Sequence, residues 1–190
     1  MPSHVALLRG INVGGNKKVP MADLRAVLAG LGHADVATYI QSGNALFSTD
    51  ETDNAALAEA IEKAVAGQLG VQCRVLVLSR AELAQVARDN PYRQEPNPKA
   101  VHVVFLPAEA SPEMVAQLAR MREQAAAKGS RDEAQYVGHA LFLHTPDGFG
   151  RSELAALLAR SSGPMSARGA GTARNWATVT KLLELCGQPG

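Results

Sequence analysis

The chain has 190 residues, 46% of them apolar and 19% charged, with 19 Lys+Arg against 18 Asp+Glu for a formal charge of +1. That length and apolar content suffice for one compact domain or two small ones and argue against disorder. The balanced charge argues against a protein that grips long nucleic acid mainly by counter-ion release, and no apolar run approaches the ~20 residues that span a bilayer.

The first half reads as alternating strands and helices. Val5-Ala6-Leu7-Leu8 leads a strand toward Asn12, and residues 12–18 form a loop of Asn, Gly and Lys, types that turn or tolerate positive φ. From Pro20, the residues Met21, Leu24, Val27, Leu28 and Leu31 recur at helical spacing until Gly32. Residues 36–41 and 45–48 are two strands joined by the turn Ser42-Gly43-Asn44, a hairpin. Asp53 or Thr52 caps the next helix, with the stripe Leu57, Ile61, Ala64, Val65 and Leu69. A fourth strand covers residues 71–78, and Ser79-Arg80-Ala81-Glu82 has the capping-box pattern of a short helix carrying Leu83 and Val86.

Residues 90–99 hold Pro91, Pro96 and Pro98 among polar neighbours, the composition of a linker. The second half then repeats the order. A strand covers residues 101–106, and Ser111-Pro112-Glu113 opens a helix with the stripe Met114, Val115, Leu118 and Met121. Residues 135–137 and 141–144 flank the turn Gly138-His139 as another hairpin. Ser152 caps a helix through Leu154, Leu157 and Leu158, and the Gly-rich residues 164–171 are the place for a short closing strand. Asn175 or Thr172 caps a last helix that buries Trp176, Val179, Leu182, Leu183 and Cys186.

The order β-α-β-β-α-β-α thus appears twice. The expected fold is α+β: two tandem ferredoxin-like (β-α-β-β-α-β) subdomains with mainly antiparallel sheets, each followed by an extra helix. The expected boundaries are 1–90, a linker at 91–99, and 100–190. A single larger α/β sheet is the rival, and the two hairpins oppose a doubly wound nucleotide fold. Met1-Pro2-Ser3-His4 lacks the charged start and cleavage site of a signal peptide, and Cys73 and Cys186 lack any CxxC or Cys/His spacing. Both features lead us to expect a cytoplasmic protein with buried thiols.

The run Leu8-Arg9-Gly10-Ile11-Asn12-Val13-Gly14-Gly15, then Val19-Pro20-Met21 with Leu24-Arg25, then Thr38-Tyr39-Ile40-Gln41-Ser42-Gly43-Asn44, resembles the bacterial family known as domain of unknown function 1697. Thr172-Ala173-Arg174-Asn175-Trp176-Ala177-Thr178-Val179 with Lys181-Leu182 is similar to its C-terminal signature. Gly148-Phe149-Gly150-Arg151-Ser152 and Asn90-Pro91-Tyr92 match smaller family features. The resemblance implies a two-part α+β fold of related ferredoxin-like halves and implies no activity.

Side-chain alternation along the first strand would put Val5, Leu7, Arg9 and Ile11 on one face, with Ala6, Leu8, Gly10 and Asn12 on the other. An arginine late in an apolar strand must reach water, a carboxylate or an anion, because unpaired burial is costly. Tyr39 and Gln41 share a face of the second strand, and Asn44 follows the turn. If that hairpin lies beside the first strand, then Arg9, Tyr39, Gln41, Ser42 and Asn44 gather at one end of the sheet. Together they offer charge, phenol, amides and hydroxyl to an oxygen-rich anion. An interdomain hydrogen-bond network around a structural arginine is the alternative.

The loop containing Gly10, Asn12, Gly14, Gly15 and Lys17 lies between strand and helix, where backbone N–H groups can cradle phosphate. It is not a P-loop, because Asn16 follows Gly15 and no Ser or Thr follows Lys17. A plain loop with two solvated lysines is the competing reading. Between Glu153 and Glu184 there is no acid, whereas Arg160, Arg168, Arg174 and Lys181 are basic. Arg174 and Asn175 sit at the start of the last helix, a place that favours anions; a solvated basic edge with Asn175 as an ordinary cap explains the same residues.

Catalytic signatures are thin. The five histidines follow no metal-ligand spacing, although His102 and His144 lie on expected neighbouring strands and could face each other. The aromatic platform by which ferredoxin-like domains read RNA is missing from the first strand. The expected function is therefore binding of a small anionic ligand, phosphorylated or nucleotide-like. Its cleft would be formed by the Arg9–Lys18 loop, the Tyr39–Asn44 turn and the Arg174-Asn175 helix start. No metal, cofactor, membrane or nucleic-acid partner is expected. The alternatives are a cofactor-independent enzyme using Tyr39 or a histidine in the same cleft, and a nucleic-acid or protein interaction module.

Overall fold

The structure, a computed structural model, describes residues 1–12, 18–166 and 169–187. The chain divides into two units, Met1–Gln85 with Thr180–Gly190, and Val86–Val179. In the first unit the order is β1 (His4–Arg9), α1 (Met21–Gly30), β2 (Ala34–Tyr39), β3 (Asn44–Ser48), α2 (Asn54–Leu69) and β4 (Arg74–Ser79), with α3 (Arg80–Arg88) following. Its sheet has the order β2-β3-β1-β4 with every pairing antiparallel, the split βαβ arrangement of a ferredoxin-like fold.

Local chemistry accounts for the helices. The Asp53 side chain accepts from the amides of Ala55 and Ala56 at 2.9 and 3.0 Å, so it, and not Thr52, caps α2; Gly70 closes the same helix at φ +66°. Ser79 and Glu82 form the reciprocal capping box expected for α3. The apolar stripes of α1 (Leu24, Val27, Leu28) and α2 (Leu57, Ile61, Val65) close over Ala6, Leu8, Ala45, Phe47 and Val77 on one face of the sheet. Val5, Leu7 and Leu46 on its other face are also buried. β1 therefore reads as a continuous apolar run and not as an alternating one.

The strand is shorter than expected. β1 stops at Arg9, and Gly10 at φ +78° and Asn12 at φ +54° turn the backbone. That turn breaks the alternation. Ile11 joins the helix-side core with Leu8 and does not share a face with Arg9.

The second unit holds β5 (Val101–Phe105), α4 (Pro112–Ala127), β6 (Glu133–Val137), β7 (Ala140–His144), a 3₁₀ turn at Phe149–Arg151, α5 (Glu153–Arg160) and β8 (Thr172–Asn175), followed by α6 (Trp176–Leu185). The order β6-β7-β5-β8, again antiparallel throughout, repeats the first sheet. Ser111 caps α4 and Ser152 caps α5 through their hydroxyls. Leu118, Leu154 and Leu158 pack with Val104, Leu141 and Leu143 as the second core. The closing strand lies just after the Gly-rich residues 164–171, at Thr172–Asn175, which sequence alone casts as the lead-in to the last helix.

The Pro-rich residues 90–99 are bound into the second unit. Glu95 meets His144 Nε2 at 2.6 Å, the Tyr92 ring stacks on His144 with centroids 5.2 Å apart, and the Ala100 carbonyl accepts the Thr145 amide at 2.7 Å. No described helix is long and apolar enough to cross a membrane.

Candidate functional site

The antiparallel order brings four strand ends to one end of the first sheet: the last residues of β1 and β2, Arg9 and Tyr39, and the first residues of β3 and β4, Asn44 and Arg74. The register pairs Tyr39 with Asn44, Asn44 with Leu7, and Arg9 with Arg74. Residues directly opposed across a sheet share a face, and alternate residues of one strand do too. Arg9, Tyr39, Asn44 and Arg74 therefore lie on one face, the one opposite α1 and α2. Arg74, which sequence reasoning missed, is exposed and forms no ion pair among the described residues.

Beyond Arg9 the chain is held by Asn12. Its Nδ2 donates to the carbonyls of Val19 and Gln41 at 3.0 and 2.8 Å, and its Oδ1 accepts the Val19 amide at 2.8 Å. The side chain thus closes the loop between β1 and α1 and ties it to the β2–β3 turn. An open cleft of about 420 Å³ lies here, lined by Asn12, Lys18, Val19, Pro20 and Gln41, with Lys18 exposed and carrying the charge. Gly14, Gly15 and Lys17, also expected to line the site, lie outside the described residues.

The turn that meets the loop is tightly built. Gly43 adopts φ +79°, and a Cβ there would lie 2.7 Å from Ile11 Cδ1 and 2.9 Å from Leu8 Cβ, so no side chain can be placed. Its carbonyl accepts the Leu8 amide at 2.8 Å. Asn44 is fully buried, and its Nδ2 donates to the Tyr39 carbonyl at 3.0 Å and the Ser42 hydroxyl at 2.9 Å. Asn12 and Asn44 thus position backbone, leaving Arg9, Tyr39, Gln41 and Ser42 as the side chains nearer solvent. Ile40 sits at φ +51° and is 49% exposed; a β-branched residue in the left-handed region is strained. Because Ile40 breaks the extended backbone and β2 ends at Tyr39, Gln41 lies in the turn and does not share a strand face with Tyr39.

A second cation near this end, read from sequence only as part of the basic tail, is Lys181. Lys181 in α6, within the first unit, lies near Tyr39, while its ammonium pairs with Glu184 at 2.7 Å.

Arg174 and Asn175 belong to the second unit and stand in a strand, with Arg174 opposite Val103 and Asn175 opposite His102. Asn175 caps α6, its Oδ1 accepting the Thr178 amide at 2.9 Å. Burial pushes the Arg174 guanidinium down to about 10, so it stays charged at neutral pH, and it donates to the Ala173 carbonyl at 2.8 Å.

His102 and His144 do not face each other. His102 is opposite Leu143 and His144 opposite Val101, one step out of register, so the rings leave opposite faces of the sheet. The His102 ring lies tilted by 33° against Phe149 with centroids 4.2 Å apart, and burial holds it below the usual histidine value. Tyr92, stacked on His144, is pushed up to about 12, mainly by burial and further by the charge of Glu133. Among the described residues no cluster of His, Cys, Asp and Glu is suited to a metal ion.

No curated protein matches this chain. A solved structure, that of a conserved bacterial protein from Streptococcus pneumoniae, superposes with a TM-score of 0.70 over 97% of this chain and 98% of that one, at 23% identity. At that identity the likeness shows a shared fold. The family model described as "Protein of unknown function (DUF1697)" matches residues 1–142, which include the whole strand-end cluster, the Asn12 clamp and the Tyr39–Asn44 turn. By that match, over most of its length, the chain belongs to the DUF1697 family.

Proposed function

We propose that this chain binds a small anionic ligand, phosphorylated or nucleotide-like, at the end of the first sheet. The observation that carries this reading is the placement of Arg9 at the tip of β1, three residues before Asn12, whose side chain shapes the cleft beside Lys18 and Gln41. Three residues of chain reach at most about 11 Å, so a ligand of metabolite size spans both. A cleft of about 420 Å³ lies in the range of small-molecule sites. Arg9 and Lys18 supply charge, while Gln41, Ser42 and Tyr39 offer amide, hydroxyl and phenol groups for orientation.

The test is thermal melting of the full chain against a panel of phosphorylated metabolites and nucleotides, for wild type and Arg9→Ala. Ligand-dependent stabilisation in the wild type, lost in Arg9→Ala at little change in the unliganded melting point, supports the reading. Equal shifts in both proteins, or none in the wild type, reject it.

A further inference from the structure

We infer that β2 is an acid-released latch: the His33 ring, seated on Phe47 at the joint between α1 and β2, holds this edge strand closed only while it is uncharged. The inference stands apart from the anion-binding reading, and its test uses no ligand.

β2 is an outer strand of the first sheet, and none of its six residues is buried. A strand so placed has little apolar burial of its own to hold it. Its start is also irregular. Ala34 pairs with Ser48 and Ala37 with Leu46, so one extra residue interrupts the ladder, and Asp35 within that bulge sits at φ +51°. Side chains supply what the ladder lacks there. The His33 ring stacks on the buried Phe47 with centroids 4.5 Å apart, and the Asp35 carboxylate accepts from the Ser48 hydroxyl at 2.8 Å.

Mild acid undoes the His33 fastening. Its Nε2 is buried and forms no hydrogen bond among the described residues. A charged imidazole carries N–H on both nitrogens, so protonating His33 in place would bury a donor with nothing to receive it. The neighbouring charge opposes it too. His4 on β1 also stacks on Phe47, with centroids 5.7 Å apart, and it is the charged group that acts on His33. His4 has outlets that His33 lacks: its Nδ1 lies 2.8 Å from the Ser3 hydroxyl oxygen, and Glu82 at the start of α3 favours its proton. Glu82 is held by Ser79 and by Asn54 from α2, and Asp35 by Ser48 and the Met1 ammonium at 3.1 Å. His33 therefore gains both water and a proton by lifting off Phe47, which takes the start of β2 with it. Closed, it is held below the usual histidine value by burial and then by His4; open, it returns to that value, so falling pH favours the open form.

Amide hydrogen exchange of the full chain, followed by NMR at pH 7 and pH 5, tests the latch. Each rate is compared with that of an unfolded chain at the same pH. One proton raises an opening constant by at most about tenfold per pH unit, so protection of the β2 amides should fall about three- to thirtyfold between the two. Amides paired between β1 and β4 should hold within about twofold. His33→Phe keeps a ring on Phe47 that takes no proton, and its β2 protection should be the same at both pH values. Asp35→Asn should keep the loss, because the Ser48 hydroxyl and then the Met1 ammonium hold the Asp35 carboxyl below its usual range, so it titrates at lower pH. Equal losses in β2 and in the β1–β4 pairs overturn the latch, since acid then acts on the whole unit. A loss that persists in His33→Phe overturns His33 as its sensor. Should His33→Phe not fold, the wild type decides through the His33 ring resonances: proton uptake must track the loss of β2 protection, and uptake without that loss overturns the proposal.

Discussion

Asn12 and Gln41 lie 29 positions apart in sequence and are joined by a hydrogen bond of 2.8 Å from the Asn12 amide to the Gln41 carbonyl. The same amide serves both ends of a loop, so one side chain sets the shape of the cleft. Asn12→Ala removes this bond and the two to Val19, and places alanine at φ +54°. The expected loss is about 2–3 kcal/mol of unfolding free energy, measurable by urea denaturation. Asn12→Asp keeps the acceptor for the Val19 amide and loses both donors, and should fall between.

Gly43→Ala tests the packing of the turn on β1. The new methyl group would press on Ile11 Cδ1 at 2.7 Å and Leu8 Cβ at 2.9 Å, at a backbone angle that L-residues avoid. A destabilisation of about 2–4 kcal/mol is expected. Adding Ile11→Ala should recover little, because Leu8 Cβ belongs to a buried strand that cannot retreat.

Ile40 offers the opposite sign. It is half exposed, so little burial is lost on replacement, and its φ of +51° is easier for asparagine than for a β-branched residue. Ile40→Asn should raise stability by about 0.5–1 kcal/mol in the same denaturation assay.

Acid should weaken the fold in two stages. His4, His33 and His102 are held below 6.5, in each case first by burial; Glu82 opposes the shift at His4, and His4 adds to it at His33. The fold favours their neutral rings, so the unfolded chain takes up protons first. Stability is full above 6.5 and declines as pH falls through the interval below it. Glu95 is held below 4.5 by the Asn97 amide and then His144, so its contribution is present above 4.5 and lost at lower pH still. Urea midpoints taken between neutral pH and pH 4 should fall with this sign, and His102→Gln should make the first decline shallower.

Much of this architecture is legible in residue order, because hairpins and amphipathic helices have strong periods. The stripe Leu24-Val27-Leu28 and the Ser79–Glu82 capping box behave as local chemistry dictates. What escapes is register. That Arg74 opposes Arg9 depends on how β4 slides along β1, and that His102 and His144 leave opposite faces depends on a single step between β5 and β7. A one-residue slip reverses every such statement, and no composition reports it. The backbone angles at Gly10 and Ile40 are similarly silent, and they move Ile11 and Gln41 off the faces that alternation assigns. β8 hides because four residues containing Arg and Asn carry no strand pattern until β5 lies beside them.

The contacts of Tyr92 and Glu95 with His144 bear on how this protein tolerates engineering. A stretch with three prolines looks like slack, yet these residues are stapled to the rim of β7. Inserting a tag or a cleavage sequence among residues 92–97 would pry aromatic and carboxylate side chains off that rim, whereas at the exposed Gly138-His139 tip, where the His139 carbonyl accepts the Leu106 amide at 2.9 Å, an insertion displaces no such side-chain staple and is the better choice.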